Sequence, residues 1–493
     1  MIFLNTETDK INRLITEGAK QGLTEIAFFG REIAAWKKSP ERMNQIIGDA
    51  YYSGKHDILH RKRTAIGPNG KLQNVENLTN NKVIDNQYAK MVDQKTNYLL
   101  GRPMTFDCEN KTYSDLLKKR FNSAFQRTMK YIGEDALNGG LCWLFVYYNA
   151  NGELSFRRFP AFQILPFWGD DDHTELDAAA RVYLQEKWDG DTKTTIERVE
   201  IFKQNGIYRY ILDGDILIPD VEFGEYEPYL TVQGKDGPEG YTWDHFPLIP
   251  FKYNKQETPL IMRVKSLQDG INTILSDFQN GMEQTPHNTI LILKNYEGEN
   301  LGEFRHNLTT YSAVKIQDDG GVETLKIDVN AENYKSILEL FKKAIIENAR
   351  GFDAKDDRMG GSPNQMNIQS MYSDIDLDAN GMEIEFQAAF EQLLWFVNQD
   401  MITKGEGNFE NETVTVIFNR DMILNENDII DSCAKSMGIL STETIIGQHP
   451  WTVDVEKELK RLRKEKEEAM MDYGNAFGSF TDPNSGNEKS KEQ

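Results

Sequence analysis

TPLIMRVKSLQDGINTILSDFQNGMEQTP, residues 258–286, decides how the rest of this chain is read. Thr258 and Pro259 form a helix-opening pair, and Pro286 bars continuation. Between them Leu260, Val264, Leu267, Ile271, Ile274, Phe278 and Met282 recur at steps alternating four and three, with a last step of four, close to a heptad seam. At ~1.5 Å per residue such a helix is roughly 40 Å long. A second helix is predicted from Asn330, with Tyr334, Ile337, Leu338, Phe341, Ile345 and Asn348 in phase and Gly351 ending it. Lys342 and Lys343 lie opposite that stripe.

The residues between the two helices, 286–330, read as strand NTILILKN, a short helix around LGEFRHNL, strand SAVKI, turn DDGG and strand VETLKI. So small a module buries too little surface to stand alone, and its place at the tip of two helices predicts packing against copies of itself. Beyond the second helix, DDRMGGSPNQMNIQS (356–370) is long, polar and glycine-rich, the signature of a functional loop or a disordered one. A very long helix follows, with Met371 and Ile375, a weak point at Asn380-Gly381, then Met382, Phe386, Phe390, Leu393, Leu394, Val397 and Met401.

Towards the N-terminus the first hundred residues read helical. Ser39 and Pro40 open one helix with the stripe Met43, Ile46, Ile47, Ala50 and Tyr51, closed by Gly54. Val83, Ile84, Tyr88, Met91, Val92 and Leu99 mark another, stopped by Gly101 and Pro103. Residues 141–253 change to a β-rich pattern of six or seven strands. It includes the hairpin LCWLFVYY–NANG–ELSFRRF and the runs ARVYLQEKW, TTIERVEIFK and IYRYIL. Past the strand TVTVIF come three helices, with Asn425 and Ser441 as caps of the first two and Pro450 before the third. The end, GSFTDPNSGNEKSKEQ, has the composition of a disordered tail.

The bulk numbers exclude several classes. In 493 residues, 56 basic and 78 acidic side chains leave a formal charge of −22, which argues against a broad basic face for nucleic acid or membrane. Cys108, Cys142 and Cys433 are three and far apart, so neither a disulfide framework nor a zinc spacing is expected. MIFLNTETDK lacks a basic n-region, and no apolar run approaches the ~20 residues of a membrane span. The expectation is a soluble intracellular product.

No catalytic constellation emerges: no P-loop, no dinucleotide fingerprint, no G-x-S-x-G and no H-E-x-x-H. Asp170-Asp171-Asp172 before His173 is read as a solvated acidic turn, with a divalent-metal site as the alternative. The basic clusters His60–Arg63, Lys118–Arg120 and Arg157-Arg158 are read as local salt bridging. No cofactor and no resident metal are called for.

In collinear order the chain carries YYSGKHDI (51–58), NNKVIDNQYAKMVDQKTNYLLGRP (80–103), FPAFQILPFW (159–168), HFPLIPFKYN (245–254) and MNIQSMYSDIDLDANGMEIEFQ (366–387). With these phrases it resembles the portal proteins of tailed bacteriophages with long non-contractile tails, from about residue 40 to about residue 470. The resemblance implies an α+β portal-type subunit, one of a ring of about twelve around a DNA channel. It implies a wing at 1–257, stem helices at 258–285 and 331–350, and a clip at 286–330. A tunnel loop at 351–365, a kinked spine helix with its strand at 366–419 and a helical crown at 420–477 follow, then a tail at 478–493.

In that plan Leu260, Val264, Leu267, Ile271, Ile274, Phe278, Ile337, Phe341 and Ile345 pack the stem. Arg358, Gly360, Gly361, Ser362, Asn364, Gln365 and Asn367 belong to the loop that faces DNA, and Lys342 and Lys343 line the channel. The implied partners are other copies of the chain, double-stranded DNA contacted without regard to sequence, the terminase large subunit, a head-completion or tail adaptor, and the scaffold and major capsid proteins. The implied place is the capsid vertex of the virion, with assembly in the host cytoplasm. Two other classes stand beside this reading: a non-channel capsid-associated adaptor or scaffold, and a metal-dependent nuclease using residues 170–172.

Overall fold

Ser39 accepts a hydrogen bond from the Arg42 N–H and Pro40 holds the first helical position, so the helix Pro40–Tyr52 starts where capping chemistry places it. The computed structural model describes residues 24–66, 71–74, 79–234, 237–284, 289–294, 321–326, 331–353, 365–420, 426–452 and 455–477. Two compact units divide the chain: residues up to Asp353 together with Asp374–Asp421, and Ala354–Ser373 together with Met422 onward.

In the first unit, α1 (Glu25–Trp36), α2 (Pro40–Tyr52), the hairpin β1 (Thr64–Ile66) and β2 (Leu72–Asn74), α3 (Gln87–Leu100), β3 (Thr105–Asp107), α4 (Lys111–Arg120) and α5 (Ser123–Gly139) come first. Among the described residues the β region holds eleven strands, not six or seven. They are β4 (Leu141–Tyr148), β5 (Leu154–Pro160), β6 (Ile164–Trp168), β7 (Leu176–Asp189), β8 (Thr192–Lys203), β9 (Gly206–Asp213), β10 (Ile216–Pro219), β11 (Tyr226–Glu227), β12 (Leu230–Gln233), β13 (Pro238–Tyr241) and β14 (Leu248–Lys252). The extra ones are mostly short strands whose few residues give periodicity nothing to work on.

The expected β4–β5 hairpin forms, with Tyr148 opposite Leu154, and β14 closes it into a three-stranded sheet. The larger sheet runs β10-β9-β8-β7-β6, with β11 also on β9. On one face α1 lays Phe28, Phe29 and Ile33 against Phe167, Ala180, Val182, Val199 and Ile201.

Then come α6 (Ile261–Gln284), the antiparallel pair β15 (Thr289–Lys294) and β16 (Gly321–Lys326), and α7 (Ala331–Asn348). The expected helix LGEFRHNL, strand SAVKI and all but the last residue of the DDGG turn lie outside the described residues, as do Asn425 and the tail at 478–493. Helices α6 and α7 pack closely at Gly270, where an added Cβ would stand 2.6 Å from the Phe341 ring, and Phe278 meets Tyr334 at 5.2 Å between ring centroids.

The long helix is α8 (Gln365–Thr403), and Asn380-Gly381 does not interrupt it. Its stripe from Met382 to Met401 is buried as expected. Phe390 is ringed by Phe106, Phe121, Phe125, Phe251 and Phe418, each buried aromatic stabilising the unit by about 1.5–3 kcal/mol. After α8, β17 (Thr415–Ile417) pairs with β3. The second unit adds α9 (Glu426–Lys435), α10 (Thr442–Gln448), which Ser441 caps, and α11 (Val455–Phe477). No helix among the described residues is long and apolar enough to cross a membrane.

One expected boundary is wrong. Val83 and Ile84 lie before α3 rather than inside it, because Asn86 caps that helix by accepting from the Ala89 N–H. What residues 79–86 do instead defines the candidate site.

Candidate functional site

Helix α6 buries a polar line as well as an apolar one. Gln268, Asn272, Ser276 and Asn280 follow one another at intervals of four, and each is 1% exposed or less. Residues 79–88 run antiparallel beside them. Asn280 Oδ1 accepts from Asn81 N at 2.8 Å, Ser276 Oγ from Val83 N at 2.9 Å, Asn272 Oδ1 from Asp85 N at 3.1 Å and Gln268 Oε1 from Tyr88 N at 3.0 Å. Four helical residues rise ~6 Å and two extended ones advance ~6.6 Å, so alternate N–H groups stay in step with successive turns. The last rung serves α3 itself, since Tyr88 N is one of the first-turn donors that no helix can satisfy internally.

Asp85 ties this ladder to the second helix of the pair. Its carbonyl accepts from Gln268 Nε2 at 2.8 Å and its carboxylate from Lys342 Nζ at 2.6 Å. Lys342 therefore faces the ladder instead of lying opposite the packed side, a correction to the sequence reading, and Lys343 is exposed.

His56 completes the ladder from the other side. Asn272 Oδ1 already takes two donors, so Nδ2 faces His56 Nδ1 at 2.8 Å, and His56 Nε2–H donates to the Tyr51 carbonyl at 3.0 Å. The ring is fully buried and stacked on Tyr51. Burial pushes its pKa down, against the opposing pull of the Tyr51 carbonyl, Asp269 and Asp57. The unfolded chain binds a proton at His56 below about pH 6.5 that the folded chain refuses, so stability falls as pH drops from there. Denaturant midpoints at pH 7.5 and 5.5 should fall further in the natural protein than in His56→Gln, with a limiting slope of about 1.4 kcal/mol per pH unit from this group.

Where the pair meets the rest of the unit, a second polar cluster is buried. Asp378 on α8 accepts from Lys95 Nζ of α3 at 2.8 Å, from the Tyr253 hydroxyl at 2.7 Å and from Arg263 Nη1 of α6 at 3.0 Å. Lys95 also donates to the carbonyl of Arg350, just past α7, at 3.0 Å. Four segments of chain, α8 included, meet at one carboxylate, and Lys95 ties in a fifth through the Arg350 carbonyl.

Of the seam residues, Leu260, Val264, Ile271 and Ile345 are buried, Leu267, Ile274, Phe278 and Phe341 are half-buried, and Ile337 is 43% exposed. Gln365 and Asn367 sit in the first turn of α8. Arg358, Gly360, Gly361, Ser362 and Asn364 lie outside the described residues. The sequence reading missed the polar line, although four amide or hydroxyl side chains at strict intervals of four were there to be seen.

A sequence model of phage portal proteins of the SPP1 Gp6-like kind matches residues 34–472. The chain belongs to this portal protein family. The portal protein of Bacillus phage SPP1 is 27% identical to it over 492 residues, 99% of this chain and 95% of the relative. That of Clostridium phage phiCD119 is 25% identical over 462 residues, 90% of this chain and 96% of the relative.

In this portal protein the nuclease alternative finds no support. Asp170 spends its carboxylate on the Thr174 and Glu175 N–H groups and the Thr174 hydroxyl, Asp172 pairs with Lys255, and His173 pairs with Glu257. Among the described residues no group of three or more His, Cys, Asp or Glu side chains could hold a metal ion. Several members of the basic clusters are paired locally: Arg61 and Arg63 with Asp277, Arg120 with Asp400 and Glu406, and Arg158 with Asp135.

Proposed function

We propose that about twelve copies of this chain form a ring at one capsid vertex, a channel through which double-stranded DNA enters and leaves. In this reading α6 and α7 are the stem, the residues around β15 and β16 the clip, residues 1–257 with 366–419 the wing and spine, and 420–477 the crown. The residues at 351–365 form the tunnel loop. The chain hydrolyses nothing itself. A terminase large subunit supplies the ATPase at the clip, a head-completion or tail adaptor takes its place later, and scaffold and major capsid proteins surround the ring.

Assembly is supported above all by one observation. One side of the α6/α7 pair is held by the polar ladder, while Met282, Ile337 and Leu340 remain 56%, 43% and 63% exposed. Apolar side chains on a helix pair of this kind suit a neighbouring subunit rather than water. The charge of −22 per copy suits a duplex that must slide without sticking.

Native mass and electron microscopy of the purified chain test the reading. Rings of about a dozen 56.7 kDa subunits with an open hole are expected, and Leu340→Glu should leave monomers. Replacing residues 356–365 by a short linker should leave rings that package little DNA. Assemblies without a hole would favour the adaptor or scaffold reading.

A further inference from the structure

Helix α7 ends in an unusual way. The Gly351 N–H bonds back to the Ile346 carbonyl at 2.8 Å and the Arg350 N–H to the Glu347 carbonyl at 3.1 Å, the two bonds of a Schellman close. The left-handed residue of that motif is normally glycine, yet here it is Arg350, with φ 51°, and Gly351 comes one position later. The sequence reading had Gly351 as the stop.

Gly351 is needed for another reason: a Cβ there would stand 2.7 Å from Met91 Sδ and 3.0 Å from Gln94 Oε1. The backbone at 350–352 is pressed onto α3 and bonded there. Gln94 Oε1 accepts from the Phe352 N–H at 2.8 Å and Gln94 Nε2 donates to the Phe352 carbonyl at 2.7 Å. One side-chain amide thus pairs with one residue as a neighbouring strand would. Lys95 holds the Arg350 carbonyl two residues earlier. A non-glycine residue in this conformation persists where its surroundings over-determine it, and such places cluster at functional sites.

We propose that Gln94 is a positioning residue of the DNA channel. It fixes residues 350–352 as a rigid root, so that the point from which the following residues start is held in place. This rests on the reading of residues 351–365 as the tunnel loop. A loop that touches moving DNA needs a root that does not yield, and an amide gives one that neither pH nor salt weakens. Lys95 divides its amine between Asp378 and the Arg350 carbonyl, whereas both polar atoms of the Gln94 amide serve the root.

The test uses full-length rings and two readouts: hydrogen exchange of the peptide containing residues 350–353, and DNA packaged per ring. Gln94→Met keeps the length and removes both bonds. Exchange at the root should rise about tenfold and packaging should fall, with ring number and mass unchanged. Gln94→Glu, which keeps the acceptor for Phe352 N–H but loses the donor, should lie between, and it carries the test if the methionine variant makes no rings. Unchanged exchange would overturn the anchor. Raised exchange with normal packaging, while the 356–365 linker variant is impaired, would overturn the positioning role alone. A linker variant that packages normally would remove the loop reading and this inference with it.

Discussion

Asp378→Ala should destabilise the first unit by about 3–5 kcal/mol, because it strands a buried lysine without its counter-charge. Lys95 is 5% exposed and Asp378 8% exposed, so water cannot take over the lost interaction. Burial pulls the Lys95 amine below its usual range, and only Asp378 opposes this strongly. Burial alone would raise the Asp378 carboxyl, but Lys95, Tyr253 and Arg263 outweigh it and hold the group low. The carboxylate's contribution is therefore complete above its unfolded pKa near 4 and is lost as pH falls through the lower folded value. A denaturant titration of the rings, followed by tryptophan fluorescence, measures the loss. The double variant Lys95→Met with Asp378→Leu should recover more than half of it, since apolar replacement of a buried pair is often close to neutral. A single variant as stable as the natural chain would mean that Asp378 does not hold Lys95, Tyr253 and Arg263 together.

Distance along the chain decided what could be read in advance. Ser39, the β4–β5 hairpin and the stripe from Met382 to Met401 were legible because their determinants lie within a few residues of one another. The ladder was not: Asp85 and Asn272 are 187 residues apart, and Lys95 and Asp378 are 283 apart. Val83 and Ile84 kept helical phase with Tyr88 and Met91, so periodicity placed them in α3. Their backbone had a better partner in α6 than in its own next turn. Lys342 went wrong for the same reason, since the apolar stripe of α7 carries no sign that Asp85 waits on its flank. The five phrases of family resemblance reached further than periodicity did. Two of them, at 51–58 and 80–103, contain His56, Asp85, Gln94 and Lys95, the groups that join the long helices to the rest.

The side chains that α6 gives to the ladder are mostly amides, Gln268, Asn272 and Asn280 with Ser276, and the second prediction follows from that choice. Asn272→Leu is nearly isosteric yet removes the acceptor for Asp85 N–H and Gln268 Nε2 and the donor for His56 Nδ1. A buried polar group left unsatisfied costs about 1–3 kcal/mol, so two or more should cost roughly 2–5 kcal/mol in all. Because every group involved is neutral, the loss should be equal at low and high salt, whereas an exposed ion pair would be screened. Asn272→Asp sharpens the test. Its carboxylate could still accept from Asp85 N–H, but it would face His56 Nδ1, which must then carry a proton. His56 would change from a group whose folded pKa lies below 6.5 to one whose folded pKa lies above it. Its contribution would then be present below about pH 6.5 and lost as pH rises through the new folded value, the reverse of the natural chain. Midpoints of both variants from pH 5 to 8 decide the matter. A pH profile for Asn272→Asp parallel to that of the natural protein would show that His56 and residue 272 are not bonded, and the ladder would lose its central rung.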